Sequence, residues 1–105
     1  MANINDLQER IRNFAEARDW ERFHIPKNLC LALSAEIGEL AAEFLWLSDS
    51  ESMRISEEKK RLVSMEIADV AIYLLRLADI LKIDVSRSVI EKLEINETRF
   101  PPLNS

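Results

Sequence analysis

Two pairs of acids carry the chemical interest of this sequence: Glu36 with Glu39, and Glu66 with Asp69. Within each pair the spacing is three, so on a helix both side chains leave neighbouring positions of one surface. Their surroundings make helices the natural setting. Leu29, Leu33, Ile37, Leu40 and Phe44 recur at helical spacing around the first pair, and Leu62, Val70, Tyr73, Leu77 and Ile80 around the second. Glu66 points along the centre of its stripe, where a leucine would be expected, while Glu36 and Asp69 flank theirs. If the two helices form an antiparallel hairpin, the pairs come level to within about one turn at ~1.5 Å per residue. Ionised carboxylates inside a core must be protonated, paired or bound to a cation. At an effective dielectric of about 20, two of them ~4 Å apart repel by about 4 kcal/mol. Four converging carboxylates therefore call for a cation. Hard oxygen donors without thiolates or several imidazoles suit Mg²⁺, Mn²⁺ or Ca²⁺ rather than zinc. Glu43, one turn beyond Glu39, either adds an oxygen donor or faces water.

A di-iron centre in a helical bundle needs two Glu-x-x-His triplets. Only Glu21 to His24 fits, and it falls in a break between helices. Glu57 and Glu58 with Lys59, Lys60 and Arg61 read as a solvated helix face. Around the acids, Trp20, Phe23 and His24 cluster before the second helix and Trp46 lies near its end. Trp46 points away from the leucine stripe and suits either stacking on a planar base or packing against another subunit. His24 is a ligand contact or a loop cap. Lys92 and Asn96 share a face with Val85, Val89 and Phe100, which directs an ammonium and an amide inward; the lysine then either meets an anion or snorkels to water. Tyr73 aims its hydroxyl at the site or is plain core. The implied chemistry is metal-assisted attack of water on a phosphoanhydride, with a spare carboxylate taking the proton. Cys30 has no evident base partner, and no serine sits in a nucleophile setting.

The elements that must position these groups follow from the rest of the sequence. A chain of 105 residues, 48% hydrophobic and 31% charged, fits one domain, residues 1–105. One glycine and three prolines argue against a strand-and-turn architecture and a glycine-rich phosphate loop. The fold class is all-α, with four helices: Asn3 to Arg18, Pro26 to about Leu47, Ser56 to about Lys82, and a last one capped by Asp84 or Ser86 and stopped by Pro101 and Pro102. Ile4, Leu7, Ile11 and Phe14 give the first its apolar stripe. Ser48, Asp49 and Ser50 supply loop chemistry. Between Ala68 and Leu81 the third helix is apolar nearly all round, so a bundle completed by oligomerisation is expected. Asp69, Arg76 and Asp79 interrupt it too early for a bilayer span. The polar N-terminus lacks a signal-peptide core and the single cysteine excludes an internal disulfide, so a cytoplasmic, membrane-free protein is expected. The formal charge of −5 disfavours a nucleic-acid polymer as partner.

Ala35-Glu36-Ile37-Gly38-Glu39-Leu40 followed by Glu66-Ile67-Ala68-Asp69 resembles the Glu-Glu-x-x-Glu and Glu-x-x-Asp signature of the MazG-like all-α nucleoside triphosphate pyrophosphohydrolases. Arg18 to His24, Pro26-Lys27-Asn28-Leu29, Phe44-Leu45-Trp46, Lys92 to Asn96 and Arg99-Phe100-Pro101 extend the likeness to the dCTP pyrophosphatase branch. The resemblance implies Mg²⁺ on Glu36, Glu39, Glu66 and Asp69, and cleavage of a (d)NTP to the monophosphate and pyrophosphate. It further implies a nucleotide pocket shaped by Trp20, Trp46, Tyr73 and Asn96 with Lys92 near the phosphates, and a homotetramer of paired dimers that cleans the nucleotide pool. Ala35 replaces the first acid of the general signature, as in that branch. Ile11 and Phe100 stand where a histidine and a tyrosine are expected, so the resemblance does not fix the base. The rival reading is a non-catalytic helical interaction module with structural acids.

Overall fold

The structure, a computed structural model, describes residues 2–103, and its regular elements are all helices. They are α1 (Ile4–Ala17), α2 (Pro26–Ala42), α3 (Asp49–Ser52), α4 (Glu57–Ile80) and α5 (Val85–Arg99). Each long helix starts where local chemistry satisfies its free N–H groups. Asn3 and Asp6 form a reciprocal capping box at α1, Ser56 Oγ accepts from the Lys59 N–H at 3.1 Å, and Asp84 accepts from the Arg87 N–H at 3.0 Å. Pro26 occupies the first turn of α2, where no donor is lost. After α1 the chain reverses through Asp19 in the left-handed region, φ 56°.

Two boundaries differ from the sequence reading. The second helix stops at Ala42 rather than Leu47, because the backbone tightens into turns such as Phe44 N–H to Ala41 O and Leu47 N–H to Phe44 O, both 3.0 Å. The expected loop at Ser48 to Ser50 contains instead the single-turn α3, started by a capping box between Ser48 and Glu51. The molecule thus has five helices among its described residues.

α4 is the axis. It packs along α2 as an antiparallel hairpin and against α1, while α5 makes little contact with the rest. The core is correspondingly thin: Ala15, Leu29, Val63 and Ala78 are its buried apolar residues. The expected stripes are only partly covered. On α1 the buried residues are Gln8 and Ala15, with Leu7 and Phe14 half exposed; Ile37 on α2 and Leu62 on α4 are also half exposed. The radius of gyration, 16.9 Å, exceeds the ~13 Å of a compact chain this long. Gln8 is buried because its Nε2 donates to the Leu75 carbonyl at 3.0 Å, tying α1 to α4. No helix among the described residues is long and apolar enough to cross a membrane.

Candidate metal and nucleotide site

The α2–α4 hairpin brings the two acid pairs together, as their matching heights require. Glu36, Glu39 and Glu66 each offer a carboxylate oxygen within 4.8 Å of the others. Asp69 stands outside that trio and is exposed, yet its charge acts on both Glu36 and Glu66. Glu43 does not join them. It is taken by Lys59, whose Nζ lies 2.7 Å from Glu43 Oε2, so Lys59 ties the first turn of α4 to the end of α2 instead of belonging to a solvated face.

The donor set and its surroundings fit a hard divalent cation. Glu36 Oε2 and Glu66 Oε2 are both shut off from solvent, and neither has a hydrogen-bond partner. Such atoms are costly unless something else meets them. Burial raises the Glu36 carboxyl above its ordinary value, helped by hydrogen bonding with Glu39 and by the charges of Glu39, Asp69 and Glu66. Glu66 is raised likewise, by burial first and then by Glu39, Asp69 and Glu43. All ligands are oxygens, which selects against soft metals.

Beside the acids lies a cavity of about 180 Å³, walled in part by Trp20, His24, Glu36, Asp69, Tyr73 and Arg76. Trp20 stands edge-on to Phe14 on one side, ring centroids 5.5 Å apart, and to His24 on the other, 6.1 Å apart. An apolar wall with aromatic rings, opening beside a carboxylate cluster, suits a planar group attached to an anion that travels with a cation.

A family model of the MazG-like family matches residues 31–103. The chain belongs to the MazG-like family. Two dCTP pyrophosphatase 1 proteins, from Rattus norvegicus and Homo sapiens, are 42% and 40% identical over 100 residues, covering 93% of this chain and 59% of theirs. The chain thus spans about six-tenths of the length of these curated relatives. A solved pyrophosphatase from Archaeoglobus fulgidus superposes with a TM-score of 0.90 at 38% identity, over 97% of this chain and 95% of that one. The all-α MazG-like fold read from the acid signature is therefore the fold the chain has.

Within one copy of this MazG-like chain, Trp46, Lys92 and Asn96 do not line the cavity beside the acids. Trp46 follows the end of α2 and is 88% exposed. Lys92 borders a separate apolar hollow with Leu74, Leu81 and Val89. Asn96 is half-buried on α5, away from the α2–α4 hairpin. The sequence reading gave no site role to a charged cluster that reaches the cavity through Arg76: Arg12, Arg76 and Asp79. Arg12 grips Asp79 with two bonds of 2.8 and 2.9 Å, and Arg76 reaches both Asp79 and His24. Arg76 and Asp79 were visible in the sequence only as charges interrupting an apolar helix. That they stand at i and i+3 was the one available sign of a paired, inward-facing site.

Proposed function

We propose that this MazG-like chain is a Mg²⁺-dependent nucleoside triphosphate pyrophosphohydrolase, acting on dCTP or a related deoxynucleotide. The observation that carries the reading is the trio Glu36, Glu39 and Glu66, with two buried and partnerless oxygens, opening beside an aromatic-walled cavity. The relatives named dCTP pyrophosphatase 1 support the reaction class and the base. Glu36, Glu39 and Glu66 would hold the ion, with Mn²⁺ as an alternative. When bound, Mg²⁺ neutralises phosphate oxygens and makes coordinated water more acidic. Asp69, on the cavity wall but outside the trio, accepts the proton of the attacking water. The bond between the α- and β-phosphates breaks, and the monophosphate and pyrophosphate leave. Trp20 and Tyr73 flank the base.

The half-exposed apolar faces of α1, α4 and α5 support a homotetramer of paired dimers. In that assembly Trp46, Lys92 and Asn96 serve a neighbouring copy's site, the lysine near the phosphates. Such a pool-cleaning enzyme works in the cytoplasm.

The test is a panel of canonical and modified triphosphates with Mg²⁺, assayed for pyrophosphate against orthophosphate. Pyrophosphate and monophosphate in equal amounts are expected. Orthophosphate alone would overturn the cleavage position, and no turnover of any nucleotide would favour a non-catalytic interaction module.

A further inference from the structure

The cavity has a second charged wall, which hydrolysis as described leaves unused. Arg76 is only 5% exposed. Its Nε donates to His24 Nδ1 at 3.1 Å, and its Nη1 donates to Asp79 Oδ2 at 3.5 Å. Asp79 is held in turn by the two bonds from Arg12. A guanidinium only donates and stays charged at any ordinary pH. His24 Nδ1 must therefore be the acceptor. A neutral imidazole whose Nδ1 accepts carries its proton on Nε2. Burial, and then the charge of Arg76, hold His24 below its ordinary pKa, which keeps the ring neutral at pH 7. Among the described residues Nε2 has no hydrogen-bond partner, and the imidazole borders the same cavity as Trp20 and Tyr73.

We propose that Arg76, anchored through Asp79 to Arg12, is a specificity-positioning residue: it fixes His24 as the Nε2–H tautomer, giving the cavity a donor that selects a cytosine edge over a uracil edge. Cytosine presents two adjacent acceptors, N3 and O2, whereas uracil places an N–H at N3 and would meet the imidazole donor with a donor. The inference rests on the nucleotide reading above. It adds a residue that acts through another, since the two observed hydrogen bonds of Arg76 go to His24 and Asp79. Asp79 is part of the device because a buried guanidinium without a counter-charge is not tolerated. The Trp20 ring lies against the imidazole, centroids 6.1 Å apart.

Because the chain has one histidine, long-range ¹H–¹⁵N spectra of the uniformly labelled protein read its tautomer directly. The expected wild-type spectrum at pH 7.5 to 8, roughly a unit or more above the ordinary histidine value, shows Nε2 protonated and Nδ1 bare. Titration with dCMP should move the Nε2 signal, and dUMP should move it far less. In Arg76→Lys the tautomers should mix, and the preference for dCTP over dUTP in kcat/KM should fall about tenfold, the scale of one hydrogen bond. That loss should appear as a higher KM for dCTP with kcat little changed. His24→Ala and the His24→Ala/Arg76→Lys double variant should be equally unselective. A wild-type Nδ1–H tautomer, equal responses to dCMP and dUMP, an unchanged preference in Arg76→Lys, or additive losses in the double variant would each overturn the proposal. The wild-type spectrum and the two monophosphate titrations need no variant, so a misfolded Arg76→Lys does not shelter it. A chain that hydrolyses neither triphosphate would sink the hydrolase reading alone, with the titrations still deciding this one.

Discussion

Two charged clusters share α4 and treat charge in opposite ways. At the Arg12–Asp79–Arg76–His24 cluster, opposite charges meet within hydrogen-bond distance, and the arrangement is complete inside one chain. At the Glu36–Glu39–Glu66 cluster, charges of one sign converge and two buried oxygens have nothing to bond. The first ties α1 to α4, so its loss should show in stability as well as at His24. The second is an arrangement that a bound cation would complete, and should be judged by binding and activity.

Substitutions that isolate the two clusters give the sharpest contrast. Glu36→Gln and Glu66→Gln should each lower pyrophosphate release by at least about a hundredfold, while leaving the metal-free protein at least as stable as before. Steady-state assays beside urea melts would show both; activity retained in either variant would erase the distinction. Asp79→Ala should do the converse and destabilise the chain by about 3 kcal/mol, because Arg76 stays buried without its counter-charge. A urea melt that barely moves would mean that Arg76 finds another partner.

The clusters should also carry opposite pH signatures. Glu36 and Glu66 are raised in the native state. Between the ordinary glutamate value of about 4.3 and their raised values, the native chain holds protons that the unfolded chain has lost. Stability of the metal-free protein therefore falls as pH rises through that window, then levels off. Asp79 is depressed, chiefly by its hydrogen bonds with Arg12. Its contribution is present above about 3.9 and is lost as pH falls through its native value. Urea melts in chelator across this range should show the first slope weaken in Glu66→Gln and vanish in Glu36→Gln/Glu66→Gln, and the second vanish in Asp79→Asn. A shared slope would mean that neither cluster behaves as its geometry requires.

The smallest expected effect lies between the acids. Gly38 sits within α2, and a Cβ there would meet nothing within 4 Å in a single chain. Gly38→Ala should stabilise the isolated chain by about 1 kcal/mol. Loss of assembly in that variant, seen by light scattering, would place a neighbouring copy against α2.

The same comparison explains what the sequence made legible. The acid cluster could be read because its logic is local: spacing within each helix, a glutamate on a leucine stripe, and equal distances from one loop. The family signature covers the same residues. The helices were legible through Pro26, Ser56 and Asp84, each of which acts on its own turn. The short α3 could have been read from Ser48 and Glu51, whose three-residue spacing is a capping box. The arginine cluster was not legible, because the Arg12–Asp79 pair spans 67 positions and the Arg76–His24 pair spans 52. Nothing local says that these side chains meet. The stripe of α5 was legible as periodicity, but not what it meets: within one chain Val85, Val89 and Lys92 border a hollow with Leu74 and Leu81, separate from the cavity beside the acids.

Thermal melting of the wild-type chain against increasing Mg²⁺, with Glu36→Gln and Glu66→Gln in parallel, tests the cation site most directly. The wild-type midpoint should climb steadily through the millimolar range, as mass action requires of a native-state ligand, while the variants stay level with ion concentration. A wild-type midpoint indifferent to Mg²⁺ and Mn²⁺ would contradict a divalent ion among these carboxylates.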